Sequence, residues 1–381
     1  MLKYECYPLT NHPDEYVVLI ICNEVINKNE LPEKITILLF CDVYNQEINE
    51  YILPKNIHIL HFNLNFNKKI KKNVLPPNLR TLSFGDAFNE KIDENVLPIN
   101  LKYLTFGNNF NQEIKENVLP INLTHLTLGQ FFNKEIVLPT SLTHLTFGAR
   151  FNQEIKENVL PINLTHLTFD YIYNQEIKEN ILPSSLTHLI FGFDFNQEIK
   201  ENVLPTSLTH LTFGRNFNKE IKENVLPINL THLTFGSKYN QKIKKKVLPV
   251  NLTNLTFGDS FNQKIKKKRL PLNLTHLTFS EIFNKKLKKN VLPPSLTHLT
   301  IQSVFNKKII IPSSVRELKF NSSSIIKHNI PEFIETVHIL FDDYETITNL
   351  PITIKEIKID NEEDIHLIKK MPFGCVVTIV K

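Results

Sequence analysis

Proline recurs along this chain at a near-constant interval, and that period constrains the fold more than any other feature. Pro32, Pro54, Pro76, Pro98, Pro120, Pro139, Pro161, Pro183, Pro205, Pro227, Pro249, Pro271, Pro293, Pro312, Pro331 and Pro351 lie mainly 22 residues apart, with some intervals of 19 or 20. The copy that starts at Pro98 reads P-I-N-L-K-Y-L-T-F-G-N-N-F-N-Q-E-I-K-E-N-V-L, with apolar anchors at Leu101, Leu104, Phe106, Phe110, Ile114 and Leu119. A unit this short has no second layer to cover its apolar face. Only stacked copies can bury it.

The spacing of Leu101, Leu104 and Phe106 matches an LxxLxL pattern, in which the last two anchors lie two apart and face one side of a short strand. The expected fold is therefore a repeat solenoid, leucine-rich-repeat-like: a long parallel sheet of about 16 short strands, with mostly irregular connections on the opposite face. A proline before each strand and polar stretches such as Gln112 to Asn117 argue against long helices. Gly85, Gly107, Gly129, Gly148, Gly192, Gly214, Gly236 and Gly258 each follow the strand aromatic or its equivalent. Either a positive φ or close packing of neighbouring coils would exclude a side chain there. Residues 1–31 read as an N-terminal cap, with Pro13, Tyr16, Leu19 and Ile21 at the offsets of Pro32, Ile35, Leu38 and Phe40. Residues 32–311 are the regular array, and 312–381 a looser set of copies ending in a C-terminal cap, with Val315, Leu318, Phe320, Ile334, Val337, Ile339, Ile354, Ile357 and Ile359 keeping the strand rhythm.

An aromatic residue followed by asparagine recurs in nearly every copy, placing Asn67, Asn89, Asn111, Asn133, Asn152, Asn174, Asn196, Asn218, Asn240, Asn262, Asn284 and Asn306 in one column. A polar residue present in every copy predicts a structural ladder, each amide satisfying backbone groups of a turn and of the next coil, beside a spine of aromatics. With these residues in view, the stretch LPTSLTHLTFGRNFNKEI from Leu204 to Ile221 resembles the FNIP repeats of social amoebae and of giant viruses of amoebae, over about residues 31 to 311. The resemblance implies a relative of leucine-rich repeats. Viral members often join such repeats to an F-box, which implies substrate recognition for ubiquitin ligation. About 30 residues precede the first clear repeat, fewer than the roughly 40 to 50 of an F-box, so that adaptor role is not expected of these residues.

Composition excludes little else. At 41% hydrophobic and 22% charged, the chain has material for a core and is not expected to be disordered. Its net charge of +5 is too mild over 381 residues to imply nucleic acid. Cys6, Cys22, Cys41 and Cys375 show no paired spacing and read as packed free thiols in a reducing compartment. The opening residues lack a signal sequence, and the longest aliphatic run, Tyr16 to Cys22, is far short of the ~20 residues a spanning helix needs. An intracellular, cytoplasmic protein without a transmembrane segment is expected, in the host's cytoplasm if the chain is viral.

Function is expected on the surface columns. Strand alternation turns outward His125, His144, His166, His188, His210, His232, then Asn254, then His276 and His298. A second column is mostly threonine, as at Thr127, Thr146 and Thr168. One imidazole per coil in a flat line cannot surround a tetrahedral ion, so no metal is expected. Duplicated consensus and strand-friendly stacking explain the columns without any ligand. The turn after Phe-Asn changes sign: QEIKEN in middle copies gives way to a lysine-rich stretch over 242–289 that includes Lys244, Lys245, Lys266, Lys267, Lys288 and Lys289. Such a patch is either a solvated face or a dock for an acidic protein, nucleic acid or anionic lipid, with nucleic acid disfavoured by the lack of interleaved exposed aromatics. No phosphate-cradling glycine loop, nucleophile elbow or HExxH motif is present, and no cofactor is implied. A non-catalytic scaffold for another protein is the functional expectation, with an anion-binding module at the lysines as the alternative.

Overall fold

The computed structural model describes residues 3–9, 12–307, 309–341 and 345–380. The chain divides into two compact units, Met1–Gly192 and Phe193–Lys381. The first holds β1 (Tyr4–Leu9), β2 (His12–Ile20), β3 (Ile35–Phe40), β4 (Ile59–His61), β5 (Thr81–Ser83), β6 (Tyr103–Thr105), β7 (His125–Thr127), β8 (His144–Thr146), β9 (His166–Thr168) and β10 (His188–Ile190). Strands β1 and β2 form an antiparallel hairpin, and from β2 to β10 each strand pairs in parallel with the next. The second unit holds β11 (His210–Thr212), β12 (His232–Thr234), β13 (Asn254–Thr256), β14 (His276–Phe279), β15 (His298–Ile301), β16 (Glu317–Asn321), β17 (Thr336–Leu340), β18 (Glu356–Ile359) and β19 (Val376–Ile379), again parallel in chain order. Among the described residues the helical pieces are two short 3-10 segments, Ile325–His328 and Glu362–Leu367. The leucine-rich-repeat-like solenoid expected from the proline period is the fold observed.

Each coil forms for local reasons. The proline carbonyl closes a turn by accepting the N–H of the first anchor, as from Leu101 to Pro98 at 3.1 Å and from Leu123 to Pro120 at 3.0 Å. The strand then buries its central leucine between two half-exposed neighbours, so three residues of period-two alternation suffice. All six anchors of the coil at Pro98 are buried. Their aromatics run as a continuous spine: Phe84 and Phe88 lie 3.9 Å apart within one coil, and Phe88 stacks on Phe110 of the next at 6.1 Å.

Close approach, not a positive φ, explains the glycine column. A Cβ on Gly107 would sit 1.9 Å from the Gly85 carbonyl oxygen, and one on Gly129 would sit 1.7 Å from that of Gly107. The left-handed conformation falls elsewhere, at the turn before the next proline, where Asn73, Asn95, Asn117, Asn158, Asn180, Asn202, Asn224 and Asn290 all have φ between 60 and 66°. Asparagine tolerates that region because its short amide can bond locally. From β14 onward the glycine gives way to Ser280 and Gln302, and the strands lengthen to four or five residues.

At the N-terminus the expected register is corrected. Tyr16 pairs with Ile35, a bulge follows, and Val18 and Ile20 then oppose Leu38 and Phe40. Val18 and Ile20 are the buried anchors, while Ile21 is 43% exposed. A one-residue slip exchanges the two faces of a strand, and the bulge supplies that slip. Val315, Leu318, Phe320, Ile334, Val337, Ile339, Ile354, Ile357 and Ile359 are all buried as the rhythm predicts. Cys22, Cys41 and Cys375 are free and only half-buried, less enclosed than expected; the side chain of Cys6 and Pro13 as an anchor lie outside the described residues.

Candidate functional site

The histidine column is built by the threonine that precedes each ring. Thr124 Oγ1 donates to the Lys102 carbonyl at 3.0 Å, and Thr143, Thr165, Thr187, Thr231, Thr253, Thr275 and Thr297 donate to the equivalent carbonyl of the previous coil, each at 3.1 Å. The same oxygens lie 2.9 Å from Nδ1 of His125, His144, His166, His188, His232, His276 and His298. A hydroxyl has one proton, already given to the carbonyl, so Nδ1 must be the donor in this contact. The neutral ring is thereby fixed in one tautomer, with its lone pair on Nε2. At Asn254 the same logic assigns the amide nitrogen, not the oxygen, to the side facing Thr253 Oγ1 at 2.9 Å. The sequence reading picked out the histidines and the outer threonines but missed these anchoring ones, whose signal was their place beside every histidine.

Within the first unit His125, His144, His166 and His188 stack at 4.1 Å, with Tyr103 tilted against His125 at 4.5 Å. In the second, His210 lies 4.2 Å from His232 and His276 lies 4.0 Å from His298, while Asn254 stands between these pairs in the sheet. Burial and then neighbouring imidazoles hold His125, His144 and His166 below the ordinary histidine value, and His276 is lowered by burial and His298 against a raising effect of Glu317. Among the described residues no group of His, Cys, Asp and Glu is placed to hold a metal ion.

The asparagine column forms a ladder of backbone bonds. Asn67, Asn89, Asn111, Asn133 and Asn152 each accept, through Oδ1, the N–H of the next asparagine in the column at 2.9–3.1 Å. In the second unit Asn196, Asn218, Asn240, Asn262 and Asn284 do the same, up to the N–H of Asn306, at 2.9–3.3 Å. This ladder fixes the turns that follow it. In those turns lysines reach glutamates of the preceding coil: Lys178 to Glu154 at 2.5 Å, Lys222 to Glu198 at 2.6 Å, and Lys244 to Glu220. The Lys222 bond holds the Glu198 carboxyl below its usual range. Lys245, Lys266, Lys267, Lys288 and Lys289 are exposed on the consecutive coils that follow, with no ion pair among the described residues. Residues 1–192 carry 16 Lys and Arg against 21 Asp and Glu, and residues 193–381 carry 28 against 18, giving net charges of −5 and +10.

One further opening was not foreseen. The coil from Pro120 to Pro139 is three residues short, and Val137, the counterpart of buried Val118, is 51% exposed. A groove of about 440 Å³ opens there over Ile114, Ile136, Ile155 and Phe151.

The FNIP Repeat family matches the chain in nine stretches, residues 44–87, 66–109, 88–131, 110–150, 132–171, 151–194, 195–238, 239–281 and 283–323. Among solved structures the chain is similar to CroV588, a giant-virus protein described as a novel circular LRR structure, with 47% identity and a TM-score of 0.80 over 90% of this chain. The chain spans 55% of the length of CroV588. A chain of the Drosophila Toll–Spatzle complex shares the fold at 14% identity and a TM-score of 0.51, over 97% of this chain and 55% of that one. No curated protein matches. Among the described residues no helix is long and apolar enough to cross a membrane. With repeats of this kind recognised from residue 44 to residue 323, the chain belongs to the FNIP-repeat family.

Proposed function

We propose that this protein is a non-catalytic scaffold that binds another protein through its exposed sheet face and turn columns. The observation that carries the reading is the histidine column. Four rings in the first unit are stacked at 4.1 Å, and each is tied by Nδ1 to a threonine fixed on the backbone, so a flat, pre-ordered surface is presented without a convergent catalytic group. Pre-ordering lowers the entropic cost of binding. Capture from a lysate of the natural host cell, read by mass spectrometry, tests it with the wild type and with His144 and His166 changed to Glu. A defined set of proteins held by the wild type and lost by the variant is expected; no protein held by the wild type would overturn the reading.

A second reading, an anion-binding module for nucleic acid or anionic lipid, is favoured by the exposed lysines over 242–289. It requires binding that weakens steeply between about 50 and 200 mM salt.

A further inference from the structure

We propose that the basic turns of three consecutive coils, residues 242–246, 264–268 and 285–289, dock an extended acidic segment of a partner protein. The proposal rests on the scaffold reading and names the chemistry of one partner. Its first support is an interrupted lattice of ion pairs. Lys222 bonds Glu198 and Lys244 bonds Glu220, in each case 24 residues earlier, and Lys246 bonds Glu223, 23 residues earlier at 3.1 Å. The same steps back from Lys266, Lys288 and Lys268 lead to Lys242, Lys264 and Lys245. Where the regular coils supply a carboxylate, these supply another ammonium group. Among the described residues Lys264, Lys266, Lys268 and Lys288 have no ion pair.

Backbone conformation gives independent support. The left-handed position of the turn holds asparagine in most coils, yet Lys246 (φ 62°) and Lys268 (φ 60°) occupy it here. Lysine is less suited to that region than asparagine. In the turns 242–246 and 264–268 two separate local rules are thus broken together, each time in favour of positive charge, while the third keeps Asn290; such breaks occur where a surface is kept for binding and not for stability.

The partner's chemistry follows from what these columns bind elsewhere. Equivalent lysines take carboxylates of the coil before them, as Lys222 takes Glu198 and Lys244 takes Glu220, and neighbouring coils lie ~4.8 Å apart. An acidic chain laid along the coils would replace the missing glutamates. Nucleic acid fits less well: Tyr239, Phe261 and Phe283 are buried and cannot stack on bases, and Arg269 is the one guanidinium among the lysines of these turns.

The test uses a variant that removes the patch by rebuilding the lattice. Lys242→Glu with Lys264→Glu returns carboxylates to the positions that face Lys266 and Lys288. The probes are a fluorescent peptide of about twelve alternating Glu and Ser residues and an oligothymidylate of similar charge, titrated at ~150 mM salt. The variant should melt at the same temperature as the wild type or higher, and bind the peptide at least about tenfold more weakly; the oligothymidylate should bind the wild type no more tightly than the peptide does. No binding of the peptide by the wild type, equal binding by the variant, a lower melting temperature of the variant, or preference for the oligothymidylate would each overturn the proposal. Lysate capture separates this from the broader reading: host proteins held equally by both forms leave the scaffold standing and remove only the acidic partner.

Discussion

Tyr44 stands where most coils carry phenylalanine, 4.3 Å from the Phe40 ring, and its buried hydroxyl has no hydrogen-bond partner among the described residues. Burial, and then the neighbouring Cys22, push its pKa well above the ordinary phenol value. A buried hydroxyl without a partner costs about 1–3 kcal/mol, so Tyr44→Phe should leave stability unchanged or raise it by about 1 kcal/mol in a denaturant titration. A clear loss would show that the hydroxyl is bonded after all. Other residue roles were legible to different depths. That the asparagine of each Phe-Asn pair has a structural role follows from its recurrence, but only coordinates show which atom bonds which: Asn111 Oδ1 takes the Asn133 N–H at 3.0 Å, and Gln112 reaches back to the Asn89 carbonyl at 2.9 Å. The anchoring threonines were passed over because a threonine beside a strand histidine is ordinary strand composition. Its function emerges only when the previous coil's carbonyl is in place.

At the scale of the element, one coil's backbone is the floor of the next. The Gly107 Cα approaches the Gly85 carbonyl so closely that a methyl group there would overlap both its oxygen, at 1.9 Å, and its carbon, at 2.3 Å. Gly107→Ala should therefore cost about 3 kcal/mol or more, since backbone atoms cannot yield as a flexible side chain does. The control is Asn95→Gly, at a positive φ of 60°, which should change stability little. Equal effects at both sites would mean that the coils part easily. The sequence marked the glycine as special but left two causes open, because a recurrent glycine looks the same whether φ or crowding demands it. The N-terminal register was misread for a related reason: the bulge between Tyr16 and Val17 leaves no trace in apolar spacing.

For the whole molecule, charge is the quantity that varies along an otherwise uniform chain, from −5 over the first unit to +10 over the second. Protonation adds a second variable. His125, His144, His166 and His276 have folded pKa values below that of the free side chain, burial being the largest cause. The unfolded chain then binds protons first, so the stability present above pH ~6.5 is lost as pH falls through that value toward the folded pKa. Melting at pH 7.5 and 5.5 should show a larger drop for the wild type than for a form with these four histidines changed to glutamine. Equal drops would remove the histidines as the cause.

The amino-acid sequence by itself determined the architecture, because a 22-residue period with six apolar anchors can be buried only by stacking, and the aromatic and asparagine columns follow from that stacking. It also located the change of charge over 242–289. Tertiary structure alone decided the rest: the tautomer of each histidine, the crowding at glycine, the antiparallel hairpin at the N-terminus, the groove at the short coil, and which lysines meet a glutamate. Apart from the hairpin, these depend on where atoms about 20 residues away come to lie, at Thr124 and Lys102 or at Lys244 and Glu220. Period fixes that copies stack; only the stacked backbone fixes which atoms then face one another.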